Sequence, residues 1–304
     1  MVSFCDVGCS APLFAPRSTR GRTGCRRAIP IMTTANSSMV SRRDGRQIAR
    51  DNEIRVLRAL HRFGWLRTRD LGGLCWTRWA TRPTGLPSMA RVQPSASAIR
   101  MAQRTLRRLD GDRLIISAQA PDGSTLHALS EGGSRALKDA GISAVSGKDL
   151  VRNFSSAYFR HRCISNEIAI AGLAQGFRVS TEREVAQGAW LGGVAGIAGK
   201  RPDVLLRGGG QVSWCEVERS RKNAKDYTAL LTWLGVVLRD KQRPGESQLL
   251  GLGLTWARVI FICTPAFRDK LRRDLHAAGW LLGAIESLLC FETELYRFED
   301  ILFP

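Results

Sequence analysis

The sequence predicts a mixed α+β or α/β fold in two parts: three helices with a β-hairpin, then a mixed sheet flanked by helices. Three observations predict it. The chain has 304 residues with 44% apolar and 24% charged side chains, which is globular composition and enough for two cores. Its first half carries apolar residues at three- and four-residue spacing, followed by two turn signals around short β-rich runs. Its second half alternates helical patterns with short apolar runs, of which Val259-Ile260-Phe261-Ile262-Cys263 reads as a buried strand.

Residues 1–44 contain Pro12, Pro16, Pro30 and seven arginines without usable periodicity. They read as a disordered leader: either an Arg-rich organellar transit peptide or, the favoured expectation, residues ahead of a true start at Met32 or Met39. From Arg46, the residues Ile48, Ile54, Leu57 and Leu60 share one face of a helix that Gly64 ends. Thr68 caps a short second helix over 69–74. Ser95 or Ser97 caps a third, through Ile99, Met101, Leu106 and Leu109, which carries Arg100, Arg104, Arg107 and Arg108. Asp110-Gly111-Asp112 and Pro121-Asp122-Gly123 are turns around strands at 114–116 and 125–129, and a helix over 131–140 closes the unit at Gly141.

In this order the elements form a winged helix-turn-helix over 45–145, whose third helix enters the major groove of double-stranded DNA. Arg100, Arg104, Arg107 and Arg108 are then the expected DNA contacts, the alternative being an ordinary solvated face. The charge agrees with a polyanionic partner. Lys and Arg number 46 against 27 Asp and Glu, a formal net charge of +19. The surplus is spread along the chain, so no basic tail accounts for it. Apolar runs such as 230–238 fall well short of the roughly 18 to 20 residues a membrane span requires, so no membrane partner is expected. The eight cysteines form no CxxC pair, and Cys163, Cys215 and Cys263 sit in apolar stretches, which favours a reducing, cytoplasmic setting over a disulfide scaffold or zinc ribbon.

The second part, 152–304, reads as a long helix over 155–175, a strand at 177–180, a glycine-rich loop over 188–199, strands at 201–206 and 211–218 joined by Gly208-Gly209-Gly210, a helix over 223–238, the strand at 259–263 and a helix over 265–278. Glu292, Glu294, Glu299 and Asp300 make a closing acidic segment. Residues two apart in a strand share a face, so Glu216 and Glu218 project together while Val217 points away. Pairing of 203–206 with 212–218 brings Asp203 to the same point. Three carboxylates crowded there repel unless a cation neutralises them, and hard oxygen donors suit Mg²⁺ or Mn²⁺.

Pro202-Asp203 followed by Glu216-Val217-Glu218, in this order of elements, resembles the PD-(D/E)xK nuclease superfamily, with its restriction-endonuclease-like mixed sheet. Glu218 stands where that superfamily normally has lysine, a variant similar to the ExE triads of some restriction endonucleases. The resemblance implies Asp203 and Glu216 as metal ligands, Glu218 as the group that orients or deprotonates water, Lys222 or Lys225 as the cation beside the phosphate, and Glu167 as a further ligand. The alternative is an edge hairpin whose acids pair with Arg201, Arg219 and Arg221.

Over roughly 46–280 the chain also resembles replication-relaxation proteins and their MobC-type relaxase relatives, through 127–133, His161-Arg162 to Asn166-Glu167, Arg201-Pro202-Asp203 and Glu216-Val217-Glu218-Arg219. That implies metal-dependent DNA nicking in plasmid replication or mobilisation, with relaxosome or replication proteins, or a second copy of the chain, as partners. A DNA-binding regulator with a silent nuclease core is the alternative. The run 193–200 lacks the glycine and hydroxyl that a Walker loop needs, so ATP binding is not expected. The four histidines show no ligand spacing and read as structural, His161 least clearly. Trp190, Trp214, Trp233 and Trp256 read as core, whereas Trp76 and Trp79 are better placed for exposure.

Overall fold

The computed structural model describes residues 44–152, 156–218, 223–251 and 253–296. Helix α1 (Gly45–Phe63) starts where the Asp44 carboxylate accepts from the Arg46 amide and ends at Gly64, whose positive φ of 83° suits glycine. It buries Val56, Leu57, Leu60 and Phe63. Strand β1 (Trp65–Arg67) leads directly into α2 (Thr68–Trp76), and α3 (Ala96–Gly111) is capped by Ser95. Strands β2 (Ile115–Gln119) and β3 (Thr125–Leu129) form the expected hairpin, with the first strand starting one residue later and running two residues longer than its sequence suggests. β1 adds to it, giving an antiparallel sheet of order β1-β3-β2. Three residues are too few for alternation to mark β1 in the sequence.

Helix α4 (Glu131–Asp139), capped by Ser130, follows the hairpin, and the short α5 (Lys148–Arg152) packs on β2 and β3. Helix α6 (Ser156–Ala174) then runs to the second sheet, made of β4 (Arg178–Ser180), β5 (Val204–Gly208), β6 (Gln211–Glu218), β7 (Thr255–Cys263) and β8 (Leu289–Glu292) in that order. β4, β5 and β6 pair antiparallel, while β6, β7 and β8 pair parallel. Antiparallel neighbours need only a tight turn, which Gly209 and Gly210 provide with φ of 58° and 76°. Parallel neighbours need a crossover, supplied by α8 (Ala224–Lys241) and then by α9 (Pro265–Ala277) with α10 (Leu282–Leu288). Between β4 and β5 lies α7 (Glu182–Ala186), closed by a Thr181–Glu184 capping box. Neither α7, α10 nor β8 is long enough to be marked by periodicity.

Two cores sandwich the second sheet. One face, with Leu206, Cys215, Val217 and Ile262, shares a continuous core with α6 and with Val56, Leu60 and Leu71 of the first part. The other holds Trp214, Trp233 and Trp256 against α8, α9 and α10. Trp214 is wholly buried and its ring centroid lies 4.7 Å from that of Trp233. Polar contacts also join the parts: Arg162 donates to the Phe63 carbonyl (2.6 Å), Asn166 to that of Trp65 (3.2 Å), and Arg62 pairs with Glu184 (2.7 Å). Among the described residues no helix is long and apolar enough to cross a membrane.

Candidate active site

Asp203 stands one residue before β5, and its amide donates to the Cys215 carbonyl (3.1 Å), extending the β5–β6 ladder. This brings Asp203 beside the C-terminal end of β6. Its Oδ2 accepts from the Val217 amide at 2.7 Å, and its Oδ1 lies 3.3 Å from His161 Nε2 on α6. The other imidazole nitrogen faces Glu182 Oε2 at 3.8 Å, and Arg162 pairs with the same carboxylate at 3.1 Å.

Glu216 shares its face of β6 with Trp214, as alternation requires. The Trp214 indole donates to Oε1 at 2.5 Å, and Lys200 Nζ donates to Oε2 at 2.6 Å. Lys200 is delivered by a tight turn: Ile197 and Lys200 exchange backbone hydrogen bonds of 2.9 and 3.1 Å around Ala198 and Gly199. Both central residues have positive φ, 50° and 75°. For alanine that conformation is strained, so packing elsewhere must hold it. The packing is visible, since Ile197 is buried and its carbonyl accepts from the Trp233 indole at 3.0 Å.

The electrostatics follow from this arrangement. Burial pushes the Glu216 carboxyl up, and Lys200 opposes that incompletely, leaving it at about 7; Asp203 and Glu218 add to the rise. Burial would also raise Asp203, but the hydrogen bond and charge of His161 together with the Val217 amide hold it below its usual range. His161 is raised in turn: burial opposes the charge, and the Asp203 bond and nearby Glu182 outweigh it. Asp203 and His161 therefore each favour the other's charged form, while Glu216 is the more easily protonated of the two acids.

Asp203, Glu216 and Glu218 stand near enough for the first and last to raise Glu216 by their charge. Among the described residues no three His, Cys, Asp or Glu side chains converge as a metal-holding group. The physical reason is that His161 and Lys200 supply the neutralising charge and each draws one carboxylate to itself. Glu218 is buried at the end of β6, opposite Cys263, and bears on Glu216 through its charge. Glu167 is held elsewhere, by Arg67 (2.8 Å) and Arg91 (2.9 Å). Lys225 is exposed in the first turn of α8, while Lys222, Arg219, Arg221, Glu299, Asp300 and residues 1–43 lie outside the described residues.

Of the α3 arginines, Arg100, Arg104 and Arg107 are exposed and fall at helical spacing on one face. Arg108 turns away to pair with Glu53 of α1 at 2.7 Å. His127 is buried on β3 between the hydroxyls of Thr68 (3.0 Å) and Ser117 (2.9 Å), a structural place.

Lys200 and the Asp203–His161 contact were not marked by any sequence motif. His161 lies in a stretch that carries the family resemblance, but only the fold brings it to Asp203. No protein-family model matches the chain, and no curated protein or solved structure matches it significantly.

Proposed function

We propose that this chain is a DNA-processing protein: residues 45–145 act as a winged helix that binds double-stranded DNA, and the second sheet is a PD-(D/E)xK-type nuclease core that nicks it. The observation that carries the nuclease reading is the position of Asp203 and Glu216 at one end of the antiparallel β5–β6 pair, with a helix before it and a helix and parallel strand after it. The α3 face of Arg100, Arg104 and Arg107 supports the DNA reading, together with the net charge of +19.

The donor chemistry fits a hard divalent cation such as Mg²⁺ or Mn²⁺. Asp203 retains 23% side-chain exposure, and each carboxylate oxygen that accepts one hydrogen bond keeps a second lone pair. Asp203 and Glu216 are the residues that would hold it, and when bound it would lower the pKa of water and stabilise charge on a phosphate. The chain's own groups do the rest. Lys200, already against Glu216, places positive charge where a phosphate would enter. His161 orients Asp203. Glu218 acts at one remove, by adding negative charge beside Glu216 that a bound cation would offset.

A second reading has its own observation. Both Glu216 oxygens already have protein donors, and this self-neutralised arrangement suits a regulator whose core binds DNA without cutting it. On either reading the family resemblance points to replication or mobilisation of a plasmid or integrative element.

The test is incubation of the full chain with supercoiled plasmid, with and without Mg²⁺ or Mn²⁺. Metal-dependent nicking that vanishes in Asp203→Asn and Glu216→Gln supports the nuclease. Tight duplex binding without nicking under any metal supports the regulator. Glu218→Gln should slow nicking less than Glu216→Gln does, because it removes only the smallest of the charges that act on Glu216.

A further inference from the structure

A second basic surface lies away from the α3 arginine face. A groove of about 840 Å³ opens between α1, the end of α2 and the connection that follows it, lined by Arg55, Arg58 and Arg62 of α1 and by Trp79. Arg55 and Arg58 are exposed, and Trp79, a large apolar ring, is 43% exposed. Arg55 donates from its guanidinium to the Cys75 carbonyl (2.8 Å), which holds that head group at the groove wall. Arg62 is already committed to Glu184.

The connection does not end the charge. Thr77 and Trp79 line this groove, and Thr81, Arg82 and Pro83, a few residues further along the same stretch, line a second cleft of about 340 Å³. There Arg178 and Arg207, from β4 and β5, join Arg82. The Arg207 Nε is buried without a hydrogen-bond partner. The Ala80 amide donates to the Ala174 carbonyl at 2.8 Å and anchors the stretch between the clefts to the end of α6. Among the described residues, Asp51 is the one acidic side chain lining either cleft.

Cations in line along a groove track a phosphate backbone, and an exposed ring among them offers a stacking platform for a base. A duplex keeps its bases stacked on each other and has no use for Trp79. At about 1.5 Å per helical residue, Arg55 to Arg62 spans roughly 10 Å, room for a few nucleotides. We propose that the two clefts form a binding track for single-stranded nucleic acid, with Trp79 stacking on a base and Arg58, Arg82 and Arg178 on phosphates. An acidic peptide would use the arginines but would gain little from the tryptophan face. The inference stands apart from the nuclease reading, because it uses none of the residues around Asp203 and none of the α3 arginines.

The experiment uses the full chain, a fluorescein-labelled 20-mer of deoxythymidine and a labelled 20-base-pair duplex, with fluorescence anisotropy as the readout. Trp79→Ala should weaken binding of the single strand about tenfold, in line with the loss of one base stack, while Trp79→Phe should retain most of it. Arg58→Ala combined with Arg178→Ala should also weaken it, and should flatten the salt dependence by about 0.7 per lost phosphate contact. Duplex affinity should change less than twofold in all of these, whereas Arg104→Ala with Arg107→Ala should weaken the duplex and spare the single strand. No wild-type binding of the single strand, or equal binding by wild type and Trp79→Ala, overturns the proposal. So does competition by polyglutamate as effective as by unlabelled deoxythymidine 20-mer, which would assign the track to an acidic peptide. Loss of duplex binding or of nicking alone would leave the track untouched and count against the function proposed above.

Discussion

Arg67 Nη2 lies 2.8 Å from Glu167 Oε1, a contact between residues one hundred positions apart that ties the start of α2 to the middle of α6. Arg67 is 1% exposed and also grips Asp70 through two further hydrogen bonds of 2.9 Å. Its charge is therefore satisfied from two elements at once, and the carboxylates depend on it in return. Removing the cation leaves Asp70 and Glu167 buried and short of a partner, a situation that typically costs about 3–5 kcal/mol. Arg67→Met should lower stability by about that amount in urea denaturation. A loss below about 1 kcal/mol would mean that Arg91 alone neutralises the cluster.

Lys200 is the main charge that restrains Glu216, so its removal should let burial act unopposed. In Lys200→Met the Glu216 carboxyl should titrate above the value of about 7 that it has in the native protein. Carboxyl-carbon NMR across pH 5 to 9 reads this directly. An unchanged or lowered midpoint would show that the lysine has no electrostatic hold on the site.

His127 gives a pH dependence of stability that is independent of the candidate site. Burial lowers its pKa from 6.5 to about 4. The unfolded chain takes up the proton near pH 6.5 and the folded chain only near pH 4, so the unfolded state binds more protons between them. Stability from this group is therefore complete above that window and falls as the pH drops through it, by at most about 3 kcal/mol. His127→Gln should remove one proton's worth of the slope in urea midpoints measured from pH 7 to pH 4.5. An identical slope in both proteins would place the pH sensitivity elsewhere.

Gly133, in the first turn of α4, has no room for a side chain. A Cβ there would stand 2.0 Å from the Leu114 carbonyl oxygen, a backbone atom that cannot swing aside. Gly133→Ala should destabilise the protein by about 1–3 kcal/mol, as overpacking does, while Gly132→Ala, whose Cβ would sit 3.0 Å from the Arg113 carbonyl oxygen, should cost less. Thermal melting of the two variants side by side checks the order.

The sequence exposes those parts of the fold whose information is local. Helices α1 and α3 repeat their apolar residues often enough to be read, and both begin at a capping side chain, Asp44 and Ser95. Strand β6 could be found because a Gly-Gly turn and alternating residues bound it. β1 could not, because it is stable only as the third strand beside β3. The candidate site divides in the same way. Asp203 and Glu216 belong to neighbouring strands and their proximity follows from the hairpin register. Lys200 and His161 reach them from a loop and a helix whose approach is set by packing alone. Glu167 went the other way, because a carboxylate on α6 looks available until Arg67 is seen to hold it.

The core shared by Val56 and Leu60 of α1 with Leu206 and Ile262 of the second sheet has a mechanical consequence. The helix that carries the α3 arginines and the sheet that carries Asp203 pack into one core, and side chains packed at interior density transmit position rather than absorb it. A protein that reads a sequence with α3 and acts with Asp203 on such a frame is a gauge of fixed length. Its cuts would fall at one offset from the site it recognises, seen as a single band on a sequencing gel, where a jointed molecule would leave a ladder.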